Sequence, residues 1–437
     1  MKRVTLLLAA VLSLGVSCFA QNEDKFKTLK EDLAKSDAAI QDPKKGINPK
    51  TWMDRGKLFQ DIYGVNVNFI RVGMMASEAK IFFKKNPKIT SEEKDGVLKE
   101  TYQYSQIKLF FEDGVLTAWD ETQFIVDNPL MKAVEAYQKA ASLDAKGKNT
   151  KKINDTYKII SNDLESKAFN EFHVKRYKRA HYTATNRIAV SKLLGITDTI
   201  YYYYAGFFAF AQSSEVDSSM WKQSIDHLSK AVSFGFEETG DSKGGVYKML
   251  YHACTYSGKP DEGLKYLQTG FEKYPENVEL IYELINYYLL RGESKEALEY
   301  VKQAEARGPQ NSNLLFAKGK LLDELGFRDE AFEAYDAAIA IDPNDFKPYF
   351  NKAVVYYNSA IKMMDDANQE KTIDGFETKR DLAEAEFKKA IDPLEKAHNV
   401  SPNDREIMET LKTLYYRLKT KHPEYESKYN DIVKRLE

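Results

Sequence analysis

The fold is decided by residues 312–345, which read SNLLFAKGKLLDELGFRDEAFEAYDAAIAIDPND. Apolar residues recur in this stretch every three or four positions, which is the spacing of an amphipathic helix. Gly326 lies between two such runs, where the end of a helix often needs a residue with positive φ. Pro343 follows the second run and should end that helix, because a helix rarely continues past a proline. The stretch therefore predicts two helices joined by a tight turn.

This stretch is the clearest of three contiguous copies, which are Gly244–Asn277, Val278–Asn311 and Ser312–Asp345. The residues that recur 34 positions apart include Pro275, Pro309 and Pro343, and also Gly258, Gly292 and Gly326. A fixed period of about 20–50 residues is typical of repeat architectures, in which each unit buries its apolar face against its neighbours. The period therefore predicts a stack of helix pairs.

The repeated positions resemble those of the tetratricopeptide repeat (TPR). The residues that match are Leu315, Gly319, Leu322, Gly326, Ala331, Tyr335, Ala338 and Pro343. The resemblance implies an all-α fold, a TPR α-solenoid, which is a right-handed superhelix of antiparallel helix pairs. We expect degenerate TPR-like repeats over residues 128–243, clear repeats over 244–404 and charged capping helices over 405–437.

The first repeat is expected to be interrupted. Trp52, Gly56 and Phe59 match the first helix of a TPR hairpin, whereas the small residues of its partner helix appear only at Ala133–Ala140. Residues 21–63 are therefore predicted to contain N-terminal helices and the first half of this hairpin. Residues 64–127 are predicted to be an inserted module.

The insertion has a different periodicity. From Glu100 onward apolar residues alternate with polar ones, as a half-buried strand requires, and Asp113-Gly114 favours a type I′ hairpin turn. We expect a small α+β insertion, with a helix near Ala76–Lys85 and a three-stranded antiparallel sheet. Gly73-Met74, that helix and Asn86-Pro87 resemble the small module of SmpA/OmlA (BamE-type) outer-membrane assembly lipoproteins.

Composition and motifs argue against several functions. Among the 437 residues, 64 Lys and Arg balance 66 Asp and Glu, so the chain lacks the basic field on which nucleic-acid binding depends. The six histidines are scattered, without an HExxH motif or a cysteine pair, so no metal site is predicted. Phosphate-binding glycine loops and nucleophile elbows are absent from the sequence, which predicts no cofactor and no catalytic residues.

Residues 1–20 are predicted to be an export signal. Two basic residues precede the apolar run Val4–Val16, and Cys18–Ala20 offers a cleavage site. In an alternative interpretation, Gly15–Cys18 is a lipobox, and an acylated Cys18 anchors the protein to a membrane surface. No later stretch is apolar for long enough to span a membrane. We expect an exported protein of the periplasm or outer membrane, or a secreted one; the oligomeric state is not predicted.

The TPR resemblance also implies a binding surface, because the first helix of each pair lines the concave groove. The predicted partner-binding residues are Lys248, His252, Tyr256, Tyr282, Asn286, Phe316, Lys320, Phe350 and Tyr357. Aromatic side chains offer large contact areas, and lysines can pair with acidic or terminal carboxylates, so a protein or peptide partner is expected. Alternatively, some of these aromatic residues pack between neighbouring helices.

Three functional hypotheses follow. The leading one is a non-enzymatic TPR scaffold or adaptor of the bacterial cell envelope that holds protein or peptide partners through an aromatic and basic groove. The alternative is a SusD-like glycan-binding outer-membrane lipoprotein, a family that also combines TPR-like helices with aromatic platforms. The third is an enzyme within the insertion, where Ser91–Lys94 and Ser105–Lys108 match SxxK without its partner motifs.

Overall fold

The computed structural model describes residues 22–83, 86–213, 218–307 and 311–437. The predicted export signal, residues 1–20, and Cys18 within it lie outside these residues. The chain divides into two compact units, which we call unit 1 (Met1–Thr239 with Met249–Gly263) and unit 2 (Gly240–Lys248 with Leu264–Glu437). In the part of the chain that the structure describes, no helix combines the length and the apolar character needed to cross a membrane.

Unit 1 is built mainly from helix pairs. Its helices are α1 (Asn22–Gln41), α2 (Pro49–Val67), α3 (Ala76–Phe83), α4 (Pro129–Leu143), α5 (Thr150–His173), α6 (Tyr177–Leu193), α7 (Thr199–Gln212) and α8 (Ser219–Ser233). Extensive contacts join α2 to α4, α5 to α6, and α7 to α8. Helix α2 thus pairs with α4, although residues 68–128 separate the two helices in the sequence. It also continues to Val67, four residues past the predicted boundary at 63.

Unit 2 continues the helix pairs with shorter connections. Helices α9 (Gly245–Tyr256) and α10 (Pro260–Lys273) belong partly to each unit. The remaining helices are α11 (Val278–Leu289), α12 (Ser294–Arg307), α13 (Ser312–Glu324), α14 (Arg328–Ile341), α15 (Phe346–Asn368), α16 (Ile373–Lys389), α17 (Ile391–Val400), α18 (Arg405–Leu418) and α19 (Glu424–Leu436). Gly292 and Gly326 turn between paired helices with φ of 72° and 81°, as the repeat pattern predicted.

The inserted sheet has four strands, so the prediction of three strands is wrong. Its antiparallel strands are β1 (Lys88–Lys94), β2 (Val97–Gln103), β3 (Ile107–Glu112) and β4 (Val115–Glu121), in the order β1-β2-β3-β4. Strand β1 was missed because every one of its residues is exposed and its sequence shows no apolar alternation. The predicted turn at Asp113-Gly114 is present, with φ of 47° and 77°.

The sheet and the first helices share one hydrophobic core. Tyr102, Leu109, Phe111 and Trp119 from the sheet are buried in the same cluster as Phe59 and other residues of α2, α4 and α5. The buried faces of β3 and β4 alternate with more exposed ones, which is the pattern that the sequence indicated. The insertion is therefore packed into unit 1 rather than attached to its surface. Its resemblance to SmpA/OmlA modules stays a prediction.

Strand β4 lies at the edge of the sheet, yet its backbone is covered. The amide of Leu116 donates to the carbonyl of Met74, and the amide of Gly73 donates to the carbonyl of Leu116. The donor–acceptor distance is 2.8 Å in both bonds. Further along, the side chain of Asn170 on α5 accepts from the Trp119 amide (2.9 Å) and donates to the Trp119 carbonyl (2.8 Å). Unpaired backbone N–H and C=O groups at a sheet edge can pair with a strand of another chain. The hydrogen bonds to Gly73, Met74 and Asn170 occupy these groups at Leu116 and Trp119 of β4.

Candidate protein-binding surface

The predicted binding residues on α11, α13 and α15 lie on helices whose start is fixed by a side-chain cap. Asn277 accepts from the amide of Leu280 (3.1 Å), Asn311 from that of Leu314 (3.2 Å) and Asp345 from that of Lys347 (3.0 Å). Asn and Asp are favoured at this position because their oxygens satisfy amides that the first helical turn leaves free. The caps therefore set the same register for α11, α13 and α15.

That register places one aromatic side chain five residues after each cap. Tyr282, Phe316 and Phe350, which we call the aromatic ladder, occupy this position on α11, α13 and α15. All three residues are half-buried, so part of each ring stays accessible to solvent. Phe316 lies near Tyr335, with ring centroids 6.1 Å apart, and Phe350 packs against the core of α15–α19. The ladder therefore combines a packing contact with an exposed edge.

Tyr282 differs from the two phenylalanines by its hydroxyl group. This oxygen is buried and has no hydrogen-bond partner among the residues that the structure describes. Burial raises the pKa of the Tyr282 hydroxyl above its usual value, because the charged phenolate would lose its hydration. An unpaired buried hydroxyl costs free energy, and a bonded partner would recover it.

The basic and amide residues of the predicted surface differ in their availability. Lys248 forms an ion pair with Glu279 (2.6 Å), which also lies in unit 2. Asn286 is exposed, and so is Lys320, which makes no ion pair within the described ranges. The Lys248–Glu279 pair could not be predicted from the sequence, because the two residues lie on different repeats. Only Lys320 of the two lysines is free to meet a carboxylate.

The remaining candidates have aromatic neighbours. Tyr256 at the end of α9 is 59% exposed and stacks on the buried Trp221, with ring centroids 4.9 Å apart within unit 1. His252 lies one turn earlier, with its ring 6.2 Å from that of Tyr256. Tyr357 on α15 meets the buried Phe387 edge-on at 5.4 Å. His252 and Tyr256 thus belong to unit 1, whereas the other candidates belong to unit 2.

The repeat assignment is decided by a family comparison. The family model for the tetratricopeptide repeat matches residues 256–312 and 282–346. Residues 256–346 of the chain are tetratricopeptide repeats. The mostly helical architecture, with its small inserted sheet, agrees with the fold class expected from the sequence, and the repeats make this TPR protein a helical scaffold.

Other comparisons of this TPR protein match parts of known proteins. One match is to the mouse protein O-mannosyl-transferase TMTC1 (Mus musculus), with 33% identity over 89 residues. It covers 17% of this chain, and the chain spans only 9% of the length of that relative.

Two solved structures also resemble this TPR protein. One is the C-terminal part of a TPR repeat-containing protein from Cytophaga hutchinsonii, with 11% identity, coverage of 62% of this chain and 92% of that chain, and a TM-score of 0.41. The other is YrrB, a TPR protein with an unusual peptide-binding site, with 21% identity, coverage of 50% of this chain and 95% of that chain, and a TM-score of 0.31.

The ladder surface combines aromatic area with a positive charge. Within the described ranges no group of three or more His, Cys, Asp or Glu residues is arranged to hold a metal ion. The ladder offers apolar ring area, and Lys320 adds a positive charge one helical turn from Phe316. Such a mixture of aromatic area and polar anchors is typical of surfaces that bind proteins and peptides.

Proposed function

We propose that this TPR protein is a non-enzymatic scaffold that binds a protein or peptide partner on the aromatic ladder of unit 2. The observation that carries the proposal is the common register of Tyr282, Phe316 and Phe350, each five residues after a capping Asn or Asp. Half-buried aromatic rings are held in place by their neighbours, so contact with a partner costs little side-chain entropy.

The partner is proposed to be an extended segment with a carboxylate near its apolar side chains. Lys320 is the exposed cation that such a carboxylate would meet, whereas Lys248 is already paired with Glu279. A clamp for two carboxylates built on Lys248, Asn286 and Lys320 would have to break that ion pair. We therefore favour a single carboxylate contact at Lys320.

Site-specific photo-crosslinking tests this function. A photoreactive residue placed at Lys320 should capture a discrete envelope protein. The same residue at the exposed Lys302 on α12, a second helix of its pair, should not. The Tyr282→Ser, Phe316→Ser and Phe350→Ser changes combined should abolish the crosslink at Lys320. An equal yield at both positions, or a crosslink that survives the triple change, would contradict the proposal.

The location is proposed to be the bacterial envelope, reached through the predicted signal at 1–20. Lipidation of Cys18 is the alternative to cleavage after Ala20. Intact-mass measurement of the protein purified from a bacterial envelope distinguishes the two, since an acylated Cys18 adds the mass of its lipid chains.

A SusD-like glycan-binding function is the second candidate, and the stacked pair Tyr256–Trp221 favours it. Tyr256 presents an exposed ring on a rigid aromatic support, which is a suitable platform for the apolar face of a sugar. A glycan array with the wild type and the Tyr256→Ala variant tests it. Specific glycan binding that the variant loses would replace the peptide proposal.

A further inference from the structure

Unit 1 contains a cavity of about 200 Å³ that is unrelated to the aromatic ladder. It lies between the C-terminal part of α2, the end of β4 with the loop that follows it, and helices α5 and α6. Its apolar wall includes Phe26, Ile62, Val65 and Val126. Ligand pockets for drug-sized molecules typically measure about 300–1,000 Å³, so an occupant of this cavity would be small.

Two of the carboxylates that line this cavity come from a strand and a helix. Glu121 is the last residue of β4 and accepts a hydrogen bond of 3.2 Å from the side-chain amide of the buried Asn66. Glu171 on α5 is only 7% exposed, accepts from the Thr183 hydroxyl (2.6 Å) and forms an ion pair with Lys167 (3.2 Å). Glu171 therefore has its own cation, whereas Glu121 makes no ion pair within the described residues.

The cavity carries an excess of negative charge. Its ionisable lining consists of Glu121, Asp127, Lys167, Glu171 and Arg179, which is three acids against two bases. Desolvation raises the pKa of the Glu121 carboxyl, and the neighbouring carboxylate of Glu171 adds to this rise, while Lys167 and the Asn66 amide oppose it. Asp127 and Arg179 are both exposed, so solvent screens their charges, and Glu121 and Glu171 remain against Lys167. One partly desolvated carboxylate is thus left without a cation of its own.

The mouth of the cavity is aromatic. Phe124 and Tyr182 line it and are 43% and 56% exposed. The Tyr182 hydroxyl accepts a hydrogen bond from the side chain of Asn128 (3.2 Å), whose backbone is left-handed with φ of 50°. A non-glycine residue in this conformation costs free energy and is held by its surroundings. The mouth is therefore a built feature, with apolar rings placed around an acidic interior.

We propose that this cavity binds a small organic cation, a primary ammonium group carried on an apolar body. The ammonium group lies at the Glu121 carboxylate, and the apolar body packs against Ile62, Val65 and Phe124. The charge excess selects a cation over an anion, because a buried carboxylate is stabilised by an opposite charge and destabilised by a like one. The apolar wall selects an organic cation over a metal ion, which prefers several oxygen ligands.

Binding of phenethylammonium to the full-length protein, measured by calorimetry, tests the proposal. The neutral isostere 2-phenylethanol should bind at least about tenfold more weakly, since a hydrogen bond to a charged group contributes more than the neutral one. The anion phenylacetate should not bind. Equal affinity for the amine and the alcohol, or no binding of the amine at millimolar concentration, would overturn the assignment.

Two variants locate the binding site. Glu121→Gln should weaken phenethylammonium binding at least about tenfold while leaving the weak alcohol binding unchanged. The control Glu112→Gln removes an exposed carboxylate of the same sheet, one that pairs with Lys99, and should change neither. Unaltered amine binding by Glu121→Gln would refute the site. If that variant does not fold, the comparison of amine and alcohol binding in the wild type still decides the charge preference. A second variant, Val126→Phe, fills the space beside the apolar wall. It should abolish amine binding, and intact amine binding by this variant would refute the site.

Discussion

The ring of Tyr137 on α4 lies so close to Gly56 on α2 that a Cβ atom at Gly56 would be 2.6 Å from the ring Cζ. Gly319 and Tyr335 have the same relationship within one clear repeat, where the added Cβ would be 2.5 Å from the ring Cε1. The two residues of the second pair are close in sequence, whereas the whole inserted sheet separates those of the first. One mode of helix packing thus closes both an intact repeat and an interrupted one.

In Gly56→Ala the added methyl group overpacks the helix contact, which should cost about 1–3 kcal/mol before any compensation and leave the variant less stable than the wild type. This loss should exceed the helix-propensity gain of about 1 kcal/mol that Ala brings over Gly. Urea unfolding followed by circular dichroism measures it. In a Tyr137→Val background the same change should cost less, because the ring is gone. An equal cost in both backgrounds would show that the ring is not the obstacle.

Asn170→Ala should cost about 1–3 kcal/mol, because it leaves the Trp119 amide and carbonyl without their partners at the edge of β4. Thermal unfolding of the variant measures the loss. Asn162→Ala, at an exposed position of the same helix, is the matched control and should stay within about 0.5 kcal/mol of the wild type. Equal effects of the two changes would mean that the edge bonds contribute nothing.

Single Ser substitutions in the aromatic ladder should have intermediate effects. A fully buried aromatic truncated to Ala costs about 3–5 kcal/mol and a surface change about 0.5 or less, so a half-buried ring should fall between these values. Unfolding of Tyr282→Ser, Phe316→Ser and Phe350→Ser tests this. Leu290→Ser is the control, since Leu290 is 87% exposed. Losses as large as those of buried aromatics would place the ladder in the core and remove its binding role.

The stability of the protein should depend on Asp163, because desolvation raises the pKa of its carboxyl from an ordinary 3.8 to about 6. A carboxyl whose pKa is raised by folding favours the folded state when it is protonated, and this contribution is lost as the pH rises from 3.8 to about 6. Asp163→Asn should therefore stabilise the protein at pH 7.5 and do so much less at pH 4.5. Melting temperatures at the two pH values give the comparison. A gain that is the same at both would rule out titration of this carboxyl as its cause.

Much of the fold could be predicted because the repeat imposes a pattern on the sequence. Glycines at turns, small residues at close helix contacts and capping Asn or Asp recur every 34 residues. Strand β1 escaped prediction because Lys88–Lys94 is polar on both faces. A sequence signal for this strand was nonetheless present at Asp95-Gly96, which has the same residue types as the turn at Asp113-Gly114. In the structure Asp95-Gly96 forms the turn between β1 and β2, with φ of 54° and 77°.

The candidate sites were less accessible from sequence. Ladder positions follow from the repeat register, but their half-burial depends on neighbours such as Tyr335 that only folding brings near. The cavity in unit 1 was not foreseen, because Asn66, Glu121 and Glu171 come from segments without a common motif. Their shared location depends on how β4 packs against α5, which no local pattern encodes.

The pairing of α2 with α4 has a consequence for the order in which the chain acquires structure. During synthesis the repeats from α11 onward can each close as soon as the second helix emerges, since their contacts are local. Helix α2 must wait until Leu143 has been made, and the edge of β4 must wait for Asn170. Long-range contacts of this kind slow folding because a large loop must close first. The N-terminal region of the chain, although made first, is therefore the part that depends longest on protection from misfolding and aggregation.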